Sequence, residues 1–209
     1  MTAKIPDDKR RKQIVDRSRT LFLTRGISAL SMDQIATLQR ISKKTLYRFF
    51  PNKGALIAAA IEDRMSEVAD RVRAVAADRR RRFPDRLRQI LRIVSGQIAE
   101  LGPTLVQDLY YHEPELWERI DTFRRKHVFS VITELFEEGM REGFIRNDIE
   151  SRLVPLLFIN AIGSLLTPAQ FVTLPIAPAE LFEALIRILF GGVLTDDTRH
   201  QFFSQEVSS

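Results

Sequence analysis

Apolar side chains recur at three- and four-residue intervals along almost the whole chain, the period of helices packed on one face. From Asp7 to Arg25, Ile14, Val15, Leu21 and Phe22 fall near one side, and Gly26 supplies a stop. Ser31 opens a short helix. Gln34 stands three residues later, so Ser31 to Gln34 reads as a capping box, with Ile35, Ala36 and Leu38 on the apolar side. Ser42 opens a third short helix that buries Leu46, Phe49 and Phe50. Pro51 ends it, because the residue before a proline avoids the α region. Asn52 can cap the next helix, whose stripe runs Ile57, Ile61, Met65, Val68, Val72, Val75. The run Arg79 to Arg82 breaks that stripe, and Phe83-Pro84 restarts it with proline in the first helical turn.

Beyond Gly102-Pro103 lies a short aromatic stretch, 103–119, interrupted by Pro114. A long helix follows through Phe123, Val131, Ile132, Leu135 and Phe136, ending near Gly143. Asp148 is positioned to cap an apolar helix running to about Thr167. A proline-rich connector, 168–178, leads to a last helix at 180–191. Phe171 to Pro175 alternates weakly but is short and proline-bounded, so it reads as loop. The expected fold class is all-α.

Composition narrows the chemistry. At 209 residues and 44% apolar, the chain can bury a real core. It has no Cys, which removes disulfides, thiolate metal sites and cysteine nucleophiles together, and suits a reducing, cytoplasmic home. His112, His127 and His200 are too scattered for a spacing-defined metal site, and no cofactor is expected. His112 beside Glu113 lacks a nucleophile, metal set or phosphate loop, so catalysis is not expected. The charged N-terminus has no apolar stretch of a secretory signal. Residues 153–179 carry no charge, yet prolines interrupt them. Their continuous apolar part, about 14 residues, suits a buried helix better than a membrane span.

Charge then divides the chain. Residues 1–53 hold 13 Lys+Arg and 4 Asp+Glu, a net of +9; the remaining residues hold 19 and 23, a net of −4, which sums to the chain's +5. A basic end is a natural partner for a polyanion. In the same segment, Ser31–Leu38 and Ser42–Phe49 form a helix-turn-helix candidate, whose second helix enters the major groove of DNA. That helix exposes Lys43, Lys44, Thr45, Tyr47 and Arg48, all donors to phosphate or base edges. Ser31, Ser42 and Lys53 stand at helix N-termini, where free N–H groups suit a phosphate. Arg10, Arg11 and Lys12 can approach the DNA backbone from the arm or simply be solvated.

Residues 11–57, RKQIVDRSRTLFLTRGISALSMDQIATLQRISKKTLYRFFPNKGALI, resemble the DNA-binding domain of TetR-family transcriptional regulators. The matching positions are Ile14, Leu21-Phe22, Gly26, Ser31-Met32, Ile35-Ala36, Ser42, Thr45-Leu46-Tyr47, Phe50, Lys53 and Leu56. The rest of the chain agrees only in outline. The resemblance implies a three-helix helix-turn-helix domain over 1–53. A larger helical effector-binding and dimerisation domain would follow over 54–209. By family position, Thr45 and Tyr47 would contact DNA and Lys53 would hold a phosphate, while Lys44 and Arg48 suit guanine as base readers. Where the family usually carries Ala-Gly in the turn, this chain has Gln39 and Arg40, and where it often has Gly or Pro it has Lys44. The turn position typically takes positive φ, which costs a residue with a Cβ about 1 kcal/mol or more.

The family further implies a small-molecule effector, a palindromic operator, and a homodimer built from the last two helices, with repression as the expected output. Gln107, Tyr110, Tyr111, His112, Trp117, Phe123 and His127 are the candidate effector residues. Taken singly, aromatics at helical spacing read as core. The run Arg79 to Arg82 reads as a solvated helix end, with an anionic partner the alternative. The helix at 180–190 is apolar almost all round and must be buried on most sides. Its Phe182, Leu185 and Leu189, with Leu157, Ala161, Gly163 and Ser164 of the preceding helix, form the expected dimer interface. A regulator of the same fold whose second domain binds a protein partner, or no ligand, is the competing reading.

Overall fold

A computed structural model of the chain describes residues 6–100, 103–165, 167, 170 and 176–203. Its described residues form ten helices: α1 (Asp7–Arg25), α2 (Met32–Gln39), α3 (Lys43–Phe49), α4 (Lys53–Ala77), α5 (Phe83–Ala99), α6 (Pro103–His112), α7 (Pro114–Arg141), α8 (Leu153–Leu165), α9 (Pro178–Val193) and α10 (Asp196–Phe203). No strand occurs among them, only an isolated antiparallel bridge between Ile145 and Leu194. The expected all-α class is the observed one. The loop expected at 171–175 lies outside the described residues.

The helix boundaries follow from local chemistry. Ser31 and Gln34 close the expected capping box, and the Asn52 side chain accepts from the Ala55 N–H at 2.8 Å. Three boundaries differ from the sequence reading. Pro114 interrupts the aromatic stretch as expected, but it is also where the long helix starts, ahead of Arg119. It begins α7, where its missing N–H leaves no intrahelical bond unmade, and the helix runs unbroken to Arg141. Asp148 caps nothing: its carboxylate receives the Arg146 guanidinium, and α8 starts at Leu153. A further helix, α10, follows α9, opened by Thr195, whose hydroxyl lies 2.8 Å from that of Thr198.

By packing the chain forms two compact units, Met1–Ser66 with Gly102–Ile120, and Glu67–Leu101 with Asp121–Ser209. The boundary between the units falls within α4, after Ser66. Leu105, Val106, Leu109 and Leu116 are buried members of the first unit, as are Ile14, Val15, Leu46 and Ile57. The second unit has its own core, in which Phe83, Phe136, Phe158, Phe182 and Phe190 are buried with Leu87, Ile90 and Leu135. Gly139 is fixed by that packing, because a Cβ there would lie 2.6 Å from the Phe83 ring.

Within the second unit the arginine run does not dangle. Arg86, 2% exposed, makes a bidentate ion pair with buried Glu138 and donates to the Ala76 carbonyl at 2.8 Å. Burial pulls the Arg86 pKa below its ordinary value, and the nearby Arg79 charge adds to the shift. Arg79 closes on the same Glu138, while Arg80 and Arg81 both bind Asp78.

Candidate nucleic-acid interface

The first three helices are assembled by what α1 and α2 bury. α1 packs on α2 and α2 on α3. Leu46 is fully buried, which fixes the rotation of α3 and turns Lys43, Lys44, Tyr47 and Arg48 outward. Ser42 sets the start of α3: its Oγ accepts from the Thr45 N–H at 3.1 Å and lies 2.8 Å from the Thr45 hydroxyl. Ser31 does the same for α2, accepting from the Gln34 N–H at 3.2 Å. Both serine oxygens thus act first as caps. Lys53 is half-buried and is the first residue of α4.

The outward cations are not equivalent. Lys43 pairs with Asp33 on α2. Arg48 meets Asp7 at 2.9 Å and lies 4.6 Å above the Phe49 ring. Exposed pairs of this kind are worth about 0–1 kcal/mol, so a phosphate or base can displace them. Lys44 is exposed with no partner among the described residues, and Tyr47 is 47% exposed. Thr45 is half-buried beside its cap. Arg10, Arg11 and Lys12, expected in an arm, lie instead in the opening turns of α1, where Arg11 stacks over Phe50 at 5.1 Å and Lys12 bridges Asp16 and Asp63 at 3.5 and 3.1 Å. Arg10 is half-buried.

The turn between α2 and α3 follows the left-handed path expected at Arg40, which has φ 56° and ψ 43°. It is the one non-glycine residue of positive φ among those described. The Arg40 N–H donates to the Thr37 carbonyl and the Ile41 N–H to the Ala36 carbonyl, both at 3.0 Å, the two bonds of a Schellman stop. Gln39 points the other way. It is 4% exposed, and its amide donates to the Ser18 hydroxyl at 2.7 Å and to the Ile14 carbonyl at 3.3 Å. The side chain that replaces the usual small residue therefore ties α2 to α1.

Sequence reading missed Asp108 on α6. Its carboxylate accepts from the Ile27 and Ser28 N–H groups at 2.7 and 2.9 Å and from the Ser28 hydroxyl at 2.6 Å. Burial would raise the Asp108 pKa, but the Ser28 and Ile27 bonds and the nearby His112 outweigh it and hold the group below the ordinary carboxylate value. The carboxylate thereby anchors the turn that delivers α2. No local pattern announces this, since the partners lie 80 and 81 residues away.

The aromatic candidates distribute differently. Gln107, Tyr110, Tyr111 and His112 are exposed on α6, and Tyr110 meets Tyr111 and half-buried Trp117 edge-on at 5.2 and 5.5 Å. These five belong to the first unit; Phe123, half-buried, belongs to the second. The His127 side chain lies outside the described residues. Of the dimer candidates, Leu157 and Ser164 are exposed and Ala161 and Gly163 half-buried on α8. Leu185 and Leu189 are half-buried against their own core. Phe182 does not face outward: it is 4% exposed and meets Phe158 edge-on at 5.9 Å, because the all-round apolar α9 has one side in the core.

A three-helix unit that turns a cationic, hydroxyl-rich helix to solvent, followed by a helical second part, defines a helix-turn-helix DNA-binding regulator. Residues 14–60 match the family model described as bacterial regulatory proteins, tetR family. It is 23% identical over 186 residues to the HTH-type transcriptional regulator YvaF of Bacillus subtilis (strain 168), covering 89% of this chain and 96% of that protein. A TetR-family transcriptional regulator from Marinobacter aquaeolei VT8 superposes with a TM-score of 0.72 at 20% identity, covering 94% of this chain and 97% of the other. The regulator FadR of Bacillus subtilis, solved in complex with stearoyl-CoA, superposes with a TM-score of 0.63 at 17% identity, covering 87% and 98%. The protein is thus a DNA-binding regulator of transcription rather than an enzyme.

Proposed function

We propose that the protein acts as a cytoplasmic homodimer that occupies a palindromic operator, represses transcription there, and is released by a small-molecule effector. Lys44, exposed and without a partner among the described residues, and exposed Tyr47 on α3 carry the reading, in a segment with a net charge of +9. Lys44 and Arg48 read bases. Lys43, Thr45, Tyr47 and Lys53 hold the backbone, with the N-termini capped by Ser31 and Ser42 beside them.

Dimerisation is supported by a face of α8 and α9 left apolar and exposed. Leu153, Leu156 and Leu157 are 44–49% exposed and Ile188 is 74% exposed. Pairing these faces about a two-fold axis would match the two-fold symmetry of a palindromic operator, whose half-sites lie about 34–36 Å apart. An effector that prefers a different spacing of the heads would then favour the unbound state. The stearoyl-CoA bound by FadR supports a small ligand in a fold of this kind.

Selection of bound duplexes from random DNA by the full-length protein tests the reading. An inverted repeat is the expected product. Enrichment of single half-sites overturns the dimeric operator, and absence of any enriched sequence overturns specific DNA reading altogether.

A further inference from the structure

The second unit carries a charged cleft that DNA recognition does not use. It has a volume of about 590 Å³ and lies between Arg71 on α4, Arg81 in the link after it, and Asp85, Arg88, Gln89 and Arg92 on α5. Four arginines line it against one acidic residue, Asp85. Residues 71–92, which carry the cleft, hold nine Arg against two Asp, a net of +7, within residues 54–209 that are net −4.

Half of the lining charge is compensated and half is not. Arg88 is held by Asp85. Arg81 is clamped by Asp78 through its Nε at 3.1 Å and donates from Nη1 to Gln89 Oε1 at 2.8 Å. Arg71 and Arg92 are exposed and meet no acidic partner among the described residues. Two guanidinium groups are thus fixed in place and two are left to bind. The rise along α5 puts Asp85, Arg88 and Arg92 on one stripe, at spacings of three and four residues. Arginine forks match phosphate oxygens bidentately, and several forks around a small cleft suit adjacent phosphates better than one isolated anion.

We propose that this cleft binds a small ligand through a diphosphate, either inorganic or borne by a nucleotide or coenzyme. In the regulator this ligand is the effector, a step that rests on the effector reading above. Inorganic pyrophosphate, ADP and coenzyme A are the probes, titrated calorimetrically into the full-length protein near physiological salt. At least one is expected to bind in the micromolar range. Arg71→Ala and Arg92→Ala are each expected to weaken it several-fold, and the double variant tenfold or more, with melting temperatures unchanged. Arg152→Ala, an exposed arginine outside the cleft, is expected to bind as the parent does. Binding of pyrophosphate as tight as of ADP and coenzyme A assigns the site to free diphosphate; tighter binding of the latter two assigns it to the larger ligands.

The proposal fails if no probe binds, or if the double variant binds as tightly as the parent. It also fails if the variants lose only affinity for duplex DNA, which would make the cleft a backbone contact. Operator release is measured separately on the selected duplex. Ligand binding that depends on Arg71 and Arg92 but leaves operator affinity unchanged overturns the effector role alone and leaves the diphosphate site standing.

Discussion

Arg40 occupies a backbone conformation that glycine takes at little cost, with φ 56°. Its side chain is exposed, so no packing repays the strain. Relief of that strain would make Arg40→Gly about 0.5–1 kcal/mol more stable, partly offset by the greater entropy of an unfolded glycine. The guanidinium is free to meet a nearby phosphate, so the same variant is expected to bind operator more weakly and with a shallower salt dependence. Thermal melts and salt titrations measure the two effects. A variant that melts lower and binds unchanged would show that the turn is built around Gln39 and Arg40. The Arg40 strain was legible from its place in the motif. The Gln39 amide was not, because its partners Ile14 and Ser18 lie 25 and 21 residues away and no periodicity links them.

Asp108 carries a pH signature. Its pKa is lowered in the folded protein. A carboxylate with a depressed folded pKa contributes stability that is fully present above its unfolded value of about 3.9. That contribution is lost as pH falls through the folded value. Asp108→Asn is expected to cost about 2 kcal/mol near neutral pH, since three donors lose a charged acceptor. The gap in melting temperature between parent and variant should narrow below about pH 4. A gap that stays constant down to pH 2 would show that the charge contributes nothing.

On the scale of elements, the proposed function divides the work of recognition between α3 and the start of α4. Lys53→Ala is expected to weaken binding to all sequences alike and to lower the salt slope by about one. Arg48→Ala is expected to relax preference at one base position, at about 1–3 kcal/mol there. Because Asp7 holds Arg48 at 2.9 Å in the free protein, Asp7→Asn should raise operator affinity slightly. A panel of operator variants separates these outcomes, and an equal, sequence-blind loss for Arg48→Ala would remove its base-reading role. The helices themselves were readable because caps and stops are local: Ser31 with Gln34, Ser42, Asn52 and Gly26 all stand within a few residues of what they bond. The α7 start was misread because a proline inside a segment and a proline at N1 look alike without the preceding turn. Asp148 was misread because an acid can cap a helix or bind a neighbouring arginine, and Arg146 is two residues away.

For the whole molecule the proposed dimer rests on the exposed apolar face of α8 and α9. Chain pattern identified α9 as apolar all round but could not divide its sides. The observed burial does so, placing Phe182, Ile186 and Phe190 in the core and leaving Ile188 74% exposed. Leaving Leu153, Leu156, Leu157 and Ile188 in water forgoes about 25 cal/mol for each Å² of apolar area that a partner could cover. Gly163 lies within the same helix as the three leucines and is only half-buried. An arginine there places bulk and charge in the proposed interface, at a cost of several kcal/mol if the contact is closed. Gly163→Arg is therefore expected to sediment as a folded monomer and to lose operator affinity together with the dimer, while its melting transition persists. A parent protein that is monomeric at micromolar concentration would remove the two-fold arrangement. A variant that stays dimeric and binds normally would move the interface away from α8.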